Sequence, residues 1–354
     1  MTSASTTPLR VGLVGYGLAG SVFHAPLIAA TPGLSLAAVV TANAERAAQA
    51  RAAHPGAQVV DSIDELWAQS HHLDLVVVAS PNRVHAAHAT AALQAGLAVV
   101  VDKPLAVSAA EAGALAALAE QRGLPLSVFQ NRRWDGDFRT VAELVRTGKL
   151  GTVHRFESRF ERWRPQLKGG WRELGDPAEA GGLLYDLGSH LVDQALTLFG
   201  PATEVYAELD GRRTGAQTDD DAFVALRHAD GTRSHLWMSA VAGSPGPRFR
   251  VLGSENAYVS YGLDGQEAAL RAGRTPAEDG RGERPPAEYG RLGAGEDTVP
   301  HPPLPGAYQE FYLGIAEAVR GHAPVPVEAR DAVATLTVLE AARLSARNRQ
   351  VVTV

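Results

Sequence analysis

The sequence predicts an α/β chain: an N-terminal doubly wound parallel sheet, then an α+β half built on a mostly antiparallel open sheet. Three observations carry this. Up to about residue 128, short Val- and Leu-rich runs alternate with longer alanine-rich segments, the rhythm of strands covered by helices on both sides. A glycine-rich turn, Gly15 to Gly20, directly follows the first of those runs. Beyond Phe129 the rhythm changes to a series of strand-like runs separated by turn signals.

Element by element, residues 9–14 (LRVGLV), 36–40, 75–79, 97–101 and 124–128 read as strands, apolar on both faces. Residues 25–30, 44–53, 84–95 and 109–121 read as helices between them. Asp61-Ser62-Ile63-Asp64-Glu65 looks like the capped start of another helix, and Ser108 with Glu111 makes a capping box for 109–121. Short links of this kind imply right-handed crossovers. In the second half, helices at 138–147 and 184–199 flank a long strand at 152–161. Runs at 204–209, 222–227, 234–240, 248–252 and 257–261 follow, with Asp230-Gly231 and Gly253-Ser254 as hairpin turns. A sheet of this type can leave one face free, a natural interface for a homodimer or homotetramer. Residues 273–306, rich in Gly, Pro, Arg and Glu, are expected to run as a long surface loop before helices at 308–320 and 330–346.

The 354 residues suit two domains, expected at 1–128 and 129–354. Hydrophobic residues make up 45% and charged residues 20%, which argues against disorder. A formal net charge of −6 gives no electrostatic reason to bind nucleic acid or an anionic membrane. No apolar run approaches the ~20 residues of a membrane-spanning helix. The absence of cysteine excludes disulfides, thiolate metal sites and thiol nucleophiles. The N-terminus shows no signal pattern, so the expected compartment is the cytoplasm.

Gly15-Tyr16-Gly17-Leu18-Ala19-Gly20 fits G-x-G-x-x-G in a strand–turn–helix setting. Gly15 permits the tight turn, Gly17 lets the backbone approach a pyrophosphate, and Gly20 lets the helix pack on the strand, so that free N–H groups face a phosphate. The pattern reads as the phosphate cradle of a Rossmann dinucleotide site, the alternative being a glycine-rich turn without a ligand. An NAD site ordinarily places an acid at the end of the second strand. Here that position reads Val40-Thr41-Ala42-Asn43-Ala44-Glu45-Arg46. Neutral Thr41 and Asn43 remove repulsion against a 2′-phosphate, and Arg46 either attracts it or merely solvates a helix face. NADP is therefore expected in preference to NAD, with NAD possible.

Two segments carry chemistry. Lys103 stands between Asp102 and Pro104 at the C-terminal end of the 97–101 run, the edge where open α/β sheets bind ligands. There an ammonium is either a positioned hydrogen-bond donor of adjustable strength or an ordinary surface lysine after a strand. Asp186 and His190 share one helix face at a spacing of four. Such a pair is either a structural polar pair or a general base with its orienting carboxylate. A metal is not expected: Asp193 follows His190 without a third ligand, and His71, His72, His85 and His88 lack acidic partners at ligand-like spacing.

Gly15–Gly20, then Ala79-Ser80-Pro81-Asn82-Arg83-Val84-His85, then Asp102-Lys103-Pro104, then Gly182 through His190 resemble the Gfo/Idh/MocA family of NAD(P)-dependent sugar and polyol oxidoreductases. GYGLAGSVFHAPL, SVFQNRRWDGDF, LLYDLGSHLVDQ and YGLDGQEAALRAGRTP together look like its NADP-dependent scyllo-inositol 2-dehydrogenase branch. The resemblance implies a dinucleotide-binding domain, an oligomerising C-terminal domain, and hydride transfer to or from a secondary alcohol of a cyclic polyol or sugar. It implies Lys103, Asp186 and His190 as catalytic residues, with His190 as base, Lys103 stabilising charge on the oxygen, and Asp186 orienting His190 or bonding a neighbouring hydroxyl. Asp102 departs from the family's usual Glu by one methylene. Ser80, Pro81, Asn82, His85 and Asp102 match cofactor-lining positions. Asn131, Arg132 and Arg133 match a stretch near nicotinamide and substrate, with Trp163, Arg164, Trp171 and Arg172 as further cleft contacts or packing. An aldose or dihydrodiol dehydrogenase, or a non-catalytic NAD(P)-sensing regulator, is the alternative; a regulator needs none of Lys103, Asp186 and His190.

Overall fold

A computed structural model describes residues 7–274 and 284–354. Its first half runs β1 (Leu9–Val14), α1 (Ala25–Ala30), β2 (Leu34–Val40), α2 (Ala44–Ala53), β3 (Gln58–Val60), α3 (Ile63–Ala68), β4 (Leu75–Val78), α4 (His85–Gln94), β5 (Ala98–Asp102), α5 (Ala109–Arg122) and β6 (Leu126–Phe129). The six strands are parallel in the order β3-β2-β1-β4-β5-β6. Chain order reverses between β1 and β4, which opens a crevice at the C-terminal strand ends. The centre of the sheet is dry: Val76, Val77, Val78, Val100 and Val101 are fully buried. Ser62 and Ser108 cap α3 and α5 by accepting from the N–H of Glu65 and Glu111. The short strand β3 was not expected, because three residues carry no readable period.

The second half runs α6 (Gly136–Arg146), β7 (Val153–Glu161), α7 (Ser189–Phe199), β8 (Ala202–Asp210), β9 (Asp221–His228), β10 (Arg233–Ser239), β11 (Phe249–Gly253), β12 (Ala257–Ser260), α8 (Gln266–Arg271), β13 (Gly290–Ala294), β14 (Asp297–His301), α9 (Gln309–Val319), α10 (Ala329–Asn348) and β15 (Val352–Thr353). Its sheet has nine strands in the order β14-β13-β12-β11-β7-β10-β9-β8-β15, antiparallel except for β7 beside β10. Alternation sorts its faces. Phe156, Phe160, Val224, Leu236 and Met238 are buried beneath α7 and α10. Tyr206, Phe223, His235 and Trp237 alternate with buried neighbours and line the other, open face.

Two expectations need correction here. Residues 273–306 are not one long loop: β13 and β14 form a hairpin that extends the sheet, while residues 275–283 lie outside the described chain. The expected helix at 184–199 opens with a π-type turn over Leu184–Gly188 before α7, and a second π-type turn, Ala19–His24, precedes α1. Such turns gather at functional sites. The last helices tie the halves together. Ser127 Oγ donates to the Val327 carbonyl at 2.8 Å, Glu340 accepts from the Ala109 N–H at 2.8 Å, and Phe129 packs edge-on against Phe311.

Candidate active site

The glycine turn is fixed by close approach. Gly15 has φ +102°, and a Cβ there would lie 2.6 Å from the Ala79 carbonyl oxygen. A Cβ on Gly20 would lie 2.1 Å from the Gly15 carbonyl oxygen, so this glycine clears the turn itself more than the strand. Gly17 differs. A Cβ there would meet only the Arg46 guanidinium, at 3.9 Å, leaving an open cradle for a phosphate group. The Asn43 side chain accepts from the Arg46 N–H and caps α2, and Thr41 Oγ1 receives the Asn43 N–H. Both neutral groups therefore shape the turn that holds Arg46 over Gly17.

Lys103 follows β5, through a cis peptide to Pro104. Its Nζ donates to Asp186 Oδ1 at 2.9 Å and to the Asp186 carbonyl at 2.6 Å. Asp186 lies in the Leu184–Gly188 turn, whose start is pinned by Asp219. That carboxylate accepts from the Leu184 N–H at 2.7 Å, and a Cβ on Gly182 (φ +93°) would strike it. His190, in the first turn of α7, is buried, and its Nδ1 faces Gln130 Oε1 at 3.2 Å. With that oxygen accepting, Nδ1 carries the proton and Nε2 keeps the lone pair.

These groups line a cavity of about 750 Å³ that reaches from Leu18 and Ala19 of the glycine turn, past Asp102, Lys103, Asn131 and His190, to Arg162 and Arg164 just beyond the end of β7. Burial lowers the pKa of His190 well below its ordinary value, and Lys103 and Arg132 lower it further, so the imidazole is neutral. Burial alone would raise Asp186. Lys103 and Arg172, at 2.9 and 3.4 Å, override it and hold the carboxyl well below the usual carboxylate range.

The sequence matches two family descriptions that together cover nearly the whole chain: an oxidoreductase family NAD-binding Rossmann fold over residues 9–130, and the same family's C-terminal alpha/beta domain over residues 142–354. The chain belongs to the Gfo/Idh/MocA oxidoreductase family. Among similar proteins, scyllo-inositol 2-dehydrogenase (NADP(+)) IolW of Bacillus subtilis is 35% identical, over 97% of this chain and 95% of the relative. The uncharacterized oxidoreductase YdgJ of Escherichia coli is 41% identical, over 96% and 97%. The solved structure of the Bacillus subtilis oxidoreductase yvaA superimposes with a TM-score of 0.93 at 35% identity, covering 99% of each chain.

Against the pattern that the Gfo/Idh/MocA resemblance implies, several residues are used differently. Asp186 does not reach His190: it holds Lys103, and Gln130 takes the orienting place. His85 is buried and its two ring nitrogens face the carbonyls of Pro104 and Ser80, both at 2.8 Å, so it straps two loops together rather than lining the groove. Asn82 is buried and donates to the Glu179 carbonyl, and Ser80 Oγ pairs with His88. Tyr16 turns its ring into the interior, edge-on to His54. Arg133 is spent on Asp193 and Asp331 and does not line the cavity; Arg132 lines it but is paired with Asp135 and Glu267. Trp163 is 62% exposed and, by strand alternation, stands on the open sheet face, whereas Arg164, Trp171 and Arg172 line the cavity. Sequence reasoning missed Gln130, whose only signal is its place immediately after β6, and Arg162, whose signal is its spacing of two from Arg164 just after a strand.

Proposed function

We propose that this family member is an NADP-preferring dehydrogenase of a secondary alcohol on a cyclic polyol or sugar, with scyllo-inositol as its reference substrate. The observation that carries this is the convergence of Lys103, from the edge of the parallel sheet, and His190, from a helix of the second half, in one cavity that begins at the glycine turn. The open cradle at Gly17 fits a dinucleotide pyrophosphate, and a bound nicotinamide supplies the carbon that exchanges hydride. The chain supplies alignment and charge. Neutral His190 accepts the hydroxyl proton at Nε2 while Gln130 holds Nδ1–H, and the Lys103 ammonium stabilises negative charge developing on the same oxygen. Asp186 fixes that ammonium by two hydrogen bonds, side chain and backbone. In the reverse direction the His190 imidazolium returns the proton to a ketone.

Support for NADP comes from β2, which ends without a carboxylate, and from the Arg46 guanidinium standing over Gly17; the similarity to IolW, named for NADP(+), agrees. We also place a homo-oligomer contact on the open face around Phe223, His235 and Trp237. The test is initial rates with scyllo-inositol, myo-inositol, glucose and xylose, with NADP and NAD at equal concentration. Faster turnover with NADP is expected, and His190→Asn should lower turnover at least ~100-fold while cofactor binding persists. Near-normal turnover in that variant removes His190 from the mechanism, and a clear preference for NAD removes the Arg46 argument.

A further inference from the structure

Eight residues lining the cavity are Lys or Arg and five are Asp or Glu, on a chain whose formal net charge is −6. Most of these cations are answered within the protein. Lys103 and Arg172 share Asp186, Arg132 and Arg271 share Glu267, and Arg213 meets Asp220 and Glu173. Lys168 lies in an exposed loop. Arg162 and Arg164 differ: both line the cavity, and neither guanidinium has a carboxylate partner among the described residues.

Their placement is built rather than incidental. The chain continues beyond β7 alongside the end of β10, with the Arg162 N–H on the Ser239 carbonyl at 2.8 Å and the Arg164 N–H on the Ala240 carbonyl at 2.6 Å. Residues two apart on an extended strand face the same way, so both side chains enter the cavity while Trp163 leaves it. The Arg162 guanidinium sits 4.5 Å from the centre of the Phe160 ring, which positions it without neutralising it. Burial, together with repulsion from Arg164, lowers its pKa to about 10. Withdrawing the unanswered Arg162 cation from water costs free energy that a bound anion would return, and Arg164, exposed at the cavity wall, adds a second positive charge beside it. Guanidinium groups match the oxygens of carboxylate and phosphate. The phosphates of a dinucleotide have their cradle at Gly17 beside Arg46, and Arg46 does not line this cavity.

We propose that the ring taken into this cavity carries an anionic substituent, a carboxylate or a phosphate, seated on Arg162 and Arg164 and preferred over a neutral ring. This rests on the dehydrogenase reading for its chemistry but not for its binding. The test is calorimetric titration of the protein saturated with NADPH, using glucose, glucuronate and glucose 6-phosphate as probes at low and high salt. At least one anionic ring should bind about 10-fold or more tightly than glucose, which corresponds to about 1.4 kcal/mol. Whether that ring is glucuronate or glucose 6-phosphate tells carboxylate from phosphate. The advantage should shrink at high salt and fall below about 3-fold in Arg162→Gln or Arg164→Gln. Should a variant fail to fold, the salt dependence of the unaltered protein decides. Equal or tighter binding of glucose, no binding of any probe, or an advantage unchanged in both variants overturns the proposal. In separate rate assays with NADP as hydride acceptor, failure of every ring, neutral or charged, to be oxidised would sink the dehydrogenase reading and leave the binding result standing.

Discussion

At the scale of single residues, the protonation of His190 is decided by its surroundings. Burial first, then Lys103 and Arg132, favour the neutral ring, so the base form persists to a pH well below the ordinary value of 6.5. Oxidation measured as kcat/KM should therefore stay level from pH 8 to about 6.5 and lose its base only further into acid. An acid limb centred at or above pH 6.5 would contradict the burial or the role. The same shift has a stability consequence whose sign follows from proton uptake. Below about pH 6.5 the unfolded chain protonates this histidine and the folded chain does not. The stability of the natural protein relative to His190→Asn should then fall with decreasing pH, by about 1.4 kcal/mol per unit between 6.5 and the folded value. Denaturant melts of both proteins at several pH values measure that difference, and a constant gap would refute it.

At the scale of elements, the glycine turn separates ligand space from folding space. Gly20→Ala forces a Cβ onto the Gly15 carbonyl and should destabilise by about 1–3 kcal/mol. Gly17→Ala meets nothing closer than Arg46 and should leave the melting temperature nearly unchanged, while weakening NADP binding about 10-fold or more. Equal damage to stability in both would mean that the space at Gly17 is not a ligand's. The motif was legible because its meaning depends on local context, a strand before and a helix after. Lys103 and His190 were likewise legible as residue types at element ends. The hairpin of β13 and β14 was not, since Gly290, Gly293, Gly295 and Pro300 give it the composition of a loop. Pro300 is accommodated because β14 is the outermost strand, where no further strand requires its missing N–H. Gln130 and Asp219 were illegible for another reason. Each acts on a residue far away in sequence, and only the assembled fold brings donor and acceptor together.

At the scale of the molecule, the open face of the nine-stranded sheet carries Phe223 and Trp237 with ring centres 5.1 Å apart, and Arg159 over the Trp237 ring at 3.9 Å. A half-buried aromatic group of this kind is suited to cover by a second copy. Light scattering should report an oligomer, and Trp237→Lys should shift it toward monomer with the cavity intact; an unchanged mass would move the contact elsewhere. No helix among the described residues is long and apolar enough to cross a membrane, and no cluster of three or more His, Asp or Glu among them is placed to hold a metal ion.

The extended segment that continues β7 through Arg162 and Arg164 also carries Trp163 between them, facing the opposite way. A point substitution there alters one side at a time. A single inserted or deleted residue within Val153–Glu161 would instead shift the reading frame of the pleat. Indole would then turn inward and guanidinium outward, spoiling ligand wall and outer surface in one event. This stretch should thus tolerate exchanges of residue type far better than any change in its length.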